Sequence, residues 1–308
     1  MKSSLNLLML LLLCAVPACA QDQNGNHNHT SPAASPDADP MVSQEWAKQR
    51  LAKSPRHREW VKVKNGAREV NSFVVYPEVK NKATAVIVIH EIFGMSDWVQ
   101  SLTDQLAEAG YIAIAPDLLS GMGPNGGGTS SLDANAIGKT IRDLPPDQIT
   151  GDLNSVADYV SKLPGANGKV VVTGYCWGGS QSFRYATNNP NIKAAFVFYG
   201  SAPALADGTP DKAALAKITA PVYGFYAGND ARINATLPKT TEVMTELKKT
   251  FDPVTYEGAG HGFMRAGEAP EPADKAAADY EKQMTAWKAN KKARDDAWAR
   301  WKKLLAGV

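Results

Sequence analysis

The chain of 308 residues has only three cysteines, and two of them, Cys14 and Cys19, fall within its first twenty positions. Removal of that segment leaves Cys176 as the single thiol, so no intramolecular disulfide is available and stability has to come from burial. A lone thiol in an oxidising compartment is a liability unless it is buried or used. An excess of one charge is also missing. With 33 Lys+Arg against 31 Asp+Glu the formal net charge is +2, which gives no electrostatic footprint for nucleic acid or an anionic membrane. The P-loop lysine and the dinucleotide-binding glycine spacing are absent. The glycine-rich segment 118–131, LLSGMGPNGGGTSS, therefore reads as a mobile loop rather than a phosphate cradle. His27 and His29 lie in a polar tract and read as solvated residues rather than metal ligands. Neither a metal nor an organic cofactor is called for.

Apolar runs long enough to cross a membrane are lacking too. The stretch from Leu5 to Val16 is preceded by Lys2 and followed by Pro17-Ala18-Cys19-Ala20, the three-part form of a secretory signal. Ala18 and Ala20 predict cleavage that leaves Gln21 first. A lipoprotein cut before Cys19 is the alternative, for which Pro17 makes a poor context. Residues 21–42 are polar and punctuated by proline, and are expected to form a disordered tether. Residues 43–308 have the length for one α/β domain, with no second linker.

Within that domain, SQEWAKQRLAK predicts a short opening helix with Ser43 as N-cap. Asn65-Gly66, set between two alternating runs, predicts a hairpin. The pattern then changes to continuous apolar runs: TAVIVIH, YIAIAPDL, KVVVTGYC, IKAAFVFYG and APVYGFYAG. Runs without alternation suit strands buried on both faces of a parallel sheet. Segments 96–109, 147–163, 178–188 and 236–249 are long enough for the crossover helices. The expected fold is a mostly parallel, doubly wound α/β sheet with helices on both faces and an N-terminal antiparallel hairpin. The stretch from Ala273 is expected to be helical. Its aromatic stripe, Tyr280, Met284 and Trp287, then Trp298, Trp301 and Leu305, should pack on the sheet.

Ligands of open α/β sheets collect at the carboxyl ends of the strands. Three polar residues stand at such ends in order: Cys176 after KVVVTGY, Asp230 after VYGFYAGN, and His261 in EGAGHGF. Nucleophile, acid, histidine is the chain order of the α/β-hydrolase triad. GYCWG fits the strand-to-helix elbow that lifts a nucleophile above the sheet and sets it at a helix N-terminus. Glu91, directly after the buried run VIVIH, needs a reason because desolvating a carboxylate is expensive unless it is paired; taken alone it reads as a strand-end residue that reaches solvent.

HEIFG, GYCWGG, the AGND containing Asp230, and GHGFMR together resemble the dienelactone hydrolases (carboxymethylenebutenolidases), cysteine members of the α/β-hydrolase superfamily, over most of residues 58–308. The resemblance implies a triad of Cys176, His261 and Asp230. It implies that Glu91 contacts the resting thiol, then moves away or takes its proton when substrate binds. It places the oxyanion on the backbone amides of Ile92 and Trp177, and a substrate carboxylate on Arg265. The family's second substrate-binding arginine has no secure counterpart here, since Arg142 is the only arginine between Glu91 and Cys176. The expected function is that of an exported hydrolase of carboxylic esters or lactones, periplasmic or secreted, that acts through an acyl-cysteine. The alternatives are a broad-specificity esterase or thioesterase, a redox sensor built on Cys176, and a non-catalytic binding protein on the same scaffold. The expected partner is a small-molecule ester or lactone; the oligomeric state is left open.

Overall fold

The structure is a computed structural model that describes residues 44–308. The signal segment, Cys19, the polar tether with His27 and His29, and the Ser43 cap lie outside the described residues.

The described chain opens with helix α1 (Glu45–Ala52) and the antiparallel pair β1 (Arg58–Asn65) and β2 (Arg68–Val75), which turn on Asn65-Gly66 as expected. Gln44 is the residue at the α1 N-cap, without a side-chain cap bond. Its Oε1 instead accepts from the Trp98 amide at 2.8 Å, tying the helix to the body of the fold. Strand β3 (Ala83–Ile89), helix α2 (Asp97–Glu108) and strand β4 (Ile112–Pro116) follow, both strands wholly buried. Helices α3 (Ala134–Arg142) and α4 (Pro146–Ser161) lead into β5 (Ala166–Tyr175). Then come α5 (Trp177–Asn188), β6 (Ala195–Phe198), α6 (Lys212–Leu215), β7 (Val222–Ala227), α7 (Ala231–Asn234) and α8 (Leu237–Glu246). Strand β8 (Phe251–Tyr256), α9 (Phe263–Ala266) and the long α10 (Tyr280–Ala306) close the chain.

All eight strands join one sheet in the order β1-β2-β4-β3-β5-β6-β7-β8, and every pairing from β4 to β8 is parallel. Alternate residues of the central strands enter different cores, as the two-residue period of a strand requires. Ile87 and Ile89 join Leu153, Val156 and Phe183 on one face, whereas Val86 and Val88 join Trp98, Phe198 and Trp301 on the other. Each fully buried side chain of this size contributes roughly 1.5–3 kcal/mol. The later part of the C-terminal stripe packs on the sheet, where the Trp301 ring meets Phe198 edge-on at 5.4 Å and Phe196 at 5.9 Å, whereas Tyr280, Met284 and Trp287 stay half-buried outside both cores.

Three sequence expectations need correction. Strand β8 has no counterpart among the apolar runs, because it is the sheet edge, is only partly buried and carries Pro253. Proline is tolerated there, where no further strand needs its missing N–H. The last helix begins at Tyr280 rather than Ala273, since the Asp274 side chain accepts from the Ala276 amide and caps a turn instead. The glycine-rich segment is tied down by buried Asp117, which accepts from the Leu119 and Thr129 amides at 3.1 and 2.8 Å and from the Thr129 hydroxyl at 2.7 Å.

Candidate active site

The parallel strands all end on one side of the sheet, and the candidate residues stand there. Cys176 follows the last residue of β5 and caps α5 with φ 56° and ψ −118°. A non-glycine residue in that region costs about 1–3 kcal/mol and persists only where its surroundings hold it. Here the surroundings are backbone. A Cβ on Gly178 would come within 2.3 Å of the His90 carbonyl oxygen and 2.4 Å of that of Ile89, and one on Gly174 would overlap the Gly178 carbonyl. The start of α5 therefore lies directly against the end of β3, which sets Trp177 beside the chain that continues into Glu91 and Ile92. Among the described residues, neither the Ile92 amide nor the Trp177 amide has a hydrogen-bond acceptor.

Asp230 follows β7 and caps α7. One carboxylate oxygen accepts from the Ile233 amide at 3.3 Å, and the other meets His261 Nδ1 at 2.5 Å. His261 lies in the loop after β8, and that loop is braced at three points. The Asn229 amide donates to the Ala259 carbonyl at 2.9 Å, Asn229 Nδ2 donates to the Gly258 carbonyl at 2.9 Å, and the Gly260 amide donates to Asn290 Oδ1 at 2.8 Å. Burial works against a charged His261 ring. The hydrogen bond to the Asp230 carboxylate and attraction to the Cys176 sulfur outweigh it and lift the His261 pKa to about 10. Burial alone would raise the Asp230 carboxyl, but its bond to His261 wins and holds it below the ordinary carboxylate value. His261 is thus hydrogen-bonded to Asp230, and the Cys176 sulfur favours its charged ring.

Glu91 is closed to solvent, and its Oε2 accepts from Arg265 Nε at 2.9 Å. The sequence expectation gave Glu91 the resting thiol and Arg265 a substrate carboxylate; in this structure the two side chains pair with each other. Arg265 comes from α9, is buried, and lies 5.2 Å from the Phe93 ring centre. Arg142 stands exposed at the end of α3, the helix that reaches Ile92 through Gly138.

Three further residues shape the site, of which only His90, in HEIFG, figured in the sequence reading, with no role given to its ring. Asn290 is the polar member of the buried α10 face that continues through Ala293, Ala297, Trp301 and Leu305, and that break in an apolar stripe was a legible signal. Tyr199 is fully buried at φ 40° and its ring meets that of His261 in an edge-type contact, 5.0 Å between centres. Burial pushes its phenol well above the usual range, and among the described residues its hydroxyl has no partner. His90 is fully buried beside Glu91. No group of acidic, histidine and cysteine side chains suited to a metal ion occurs among the described residues.

A mostly parallel sheet, a strained elbow at the end of its central strand, and an acid and a histidine delivered by later strand ends define an α/β-hydrolase. The sequence profile of the dienelactone hydrolase family matches residues 70–308, and the chain belongs to that family. Two curated relatives share the name "Putative carboxymethylenebutenolidase". The one from Yersinia pestis is 32% identical over 209 residues, covering 66% of this chain and 76% of that protein. The one from Saccharolobus solfataricus is 30% identical over 272 residues, covering 78% and 95%. The crystal structure of a "Putative Dienelactone Hydrolase" from Klebsiella pneumoniae superposes with a TM-score of 0.65 at 25% identity, over 82% of this chain and 99% of that one.

Proposed function

We propose that this hydrolase cleaves carboxylic esters or lactones, with a preference for substrates that carry a further carboxylate, through an acyl-Cys176 intermediate. The observation that carries the reading is the Asp230–His261 hydrogen bond at 2.5 Å, with the His261 charge favoured by the Cys176 sulfur, which stands on a strained elbow at a helix N-terminus.

In this mechanism the Cys176 sulfur, as thiolate, attacks the substrate carbonyl carbon, and the oxyanion that forms lies between the Ile92 and Trp177 amides. The carbon–oxygen bond to the leaving group then breaks, and protonated His261 gives its proton to the departing alkoxide. Neutral His261 next takes a proton from water, whose oxygen attacks the thioester. Collapse expels the thiolate, frees the acid and leaves the imidazolium in place. Asp230 holds His261 by Nδ1, so that Nε2 is the nitrogen that exchanges protons. A substrate carboxylate competes with Glu91 for Arg265. Glu91, once released, is the acceptor for a proton on the Cys176 thiol, which couples activation of the sulfur to binding of the right substrate.

The test is hydrolysis of a dienelactone and of p-nitrophenyl acetate by wild type, Cys176→Ala and Arg265→Met. Loss of both activities in Cys176→Ala, with Arg265→Met losing the dienelactone selectively, is the expected pattern. A Cys176→Ala variant as active as wild type would overturn the reading.

We further propose that the protein works outside the cytoplasm, on the strength of the Leu5–Val16 stretch with Ala18 and Ala20 behind it. An intact mass that begins at Gln21 is the expected result. Retention of residues 1–20 would contradict it, and a lipidated Cys19 would replace free export with anchoring.

A further inference from the structure

The two proposed oxyanion donors belong to different elements, one following β3 and one opening α5, and a hydrogen bond is useful to a transition state only if its donor is already aimed. His90 touches both. Its ring is wholly buried, its Nδ1 lies 2.8 Å from the Glu91 carbonyl oxygen, and its face stacks on the Trp177 indole with 5.5 Å between ring centres and 15° between planes. We propose that His90 is the positioning residue of the oxyanion site, fixing the Ile92 amide through the Glu91 carbonyl and the Trp177 backbone through its indole. The inference rests on the reading that these two amides receive the oxyanion.

The physical link is the planarity of the peptide unit. The Glu91 carbonyl and the Ile92 N–H belong to the same trans amide and point in opposite directions, so holding the oxygen aims the hydrogen. The carbonyl is held twice, by His90 Nδ1–H and by the Gly94 amide at 3.1 Å. Donation to a carbonyl also polarises the amide and strengthens its own N–H as a donor. The second link is steric. With Gly178 pressed against the Ile89 and His90 carbonyls and the Trp177 indole stacked on the imidazole, the first turn of α5 is held against the end of β3 at two points.

The protonation state suits this role. Burial drives the His90 pKa down and prevails over Asp117 and the Glu91 carbonyl, which act to raise it. A neutral ring has one proton, and because a carbonyl oxygen only accepts, that proton resides on Nδ1. Nε2 has no hydrogen-bond partner among the described residues. His90 therefore acts through one donated hydrogen bond and one stacked face. His261, its counterpart across the site, is held by a carboxylate and keeps its charge.

The experiment compares wild type with His90→Phe, which keeps bulk and stacking without the donor, and His90→Asn, whose Nδ2 takes the place of the imidazole Nδ1 and keeps the donor. The Phe variant is expected to lose roughly 10- to 100-fold in kcat for ester hydrolysis, part of the loss seen when an oxyanion donor is deleted, with KM within about twofold of wild type. Alkylation of Cys176 by iodoacetamide displaces iodide at a saturated carbon and needs no oxyanion site, so its rate should be unchanged. His90→Asn should recover most of kcat. Should the Phe variant not fold, His90→Leu, which has no donor, is expected to show the same split. Wild-type kcat in the variant without the donor would overturn the proposal, as would an equal fall in hydrolysis and alkylation. Failure of the nucleophile reading is distinguishable, because it appears as hydrolysis that survives in Cys176→Ala.

Discussion

Arg265 Nε and Glu91 Oε2 meet at 2.9 Å across 174 residues of sequence, with side-chain exposures of only 5% and 2%. A buried carboxylate and guanidinium tolerate burial only while they have partners, so neither can be removed alone without cost. Arg265→Ala is expected to lower the unfolding free energy by about 3–5 kcal/mol, and Glu91→Gln in the same chain should return part of it. Urea denaturation of the two variants and wild type checks this. An Arg265→Ala protein as stable as wild type would show that the pair carries no such strain.

The elbow makes a sharper steric prediction. Gly178→Ala drives a methyl group into the Ile89 and His90 carbonyls at 2.4 and 2.3 Å, and backbone on that side has no rotamer to yield. Overpacking of this kind costs about 1–3 kcal/mol. The variant should melt earlier and hydrolyse esters slowly, since both proposed oxyanion donors flank the clash. Thermal unfolding read beside kcat gives the answer.

Asn290 predicts an effect at a distance. Asn290→Ala leaves the buried Gly260 amide without its acceptor, a loss of about 1–3 kcal/mol, and frees the loop that holds His261. The expected outcome is a lower kcat and a lower His261 pKa than in wild type, both recovered in Asn290→Asp. Rates and imidazole NMR titration on the three proteins test it.

His261 gives a pH prediction with a definite sign. Its folded pKa, about 10, lies above the ordinary value of 6.5. The stability it contributes is therefore complete below pH 6.5 and is lost as the pH rises through about 10. The urea midpoint of wild type should fall between pH 7 and pH 10 by more than that of His261→Gln. In Cys176→Ala the imidazole should titrate lower than in wild type, because one of the groups that raises it has gone.

Much of this was legible in sequence because it is written locally. The continuous runs of β3, β4 and β5 announce strands buried on both faces, and Asn65-Gly66 announces the hairpin. GYCWG announces a strained elbow because only small residues allow the close approach there. What depends on distant partners was not legible. Nothing near Glu91 in sequence names Arg265 as its partner, and an edge strand with Pro253 has no apolar run to reveal it. His90 stood at the end of a buried run and in HEIFG, but nothing local in sequence brings its ring against Trp177.

The central claim is a covalent one, and intact-mass spectrometry of enzyme quenched within milliseconds of mixing with a p-nitrophenyl ester tests it most directly. Wild type should gain the mass of the acyl group, on the peptide that contains Cys176, and lose it again as turnover proceeds. Steady hydrolysis with no acyl mass at Cys176, or the same adduct in Cys176→Ala, would contradict the account.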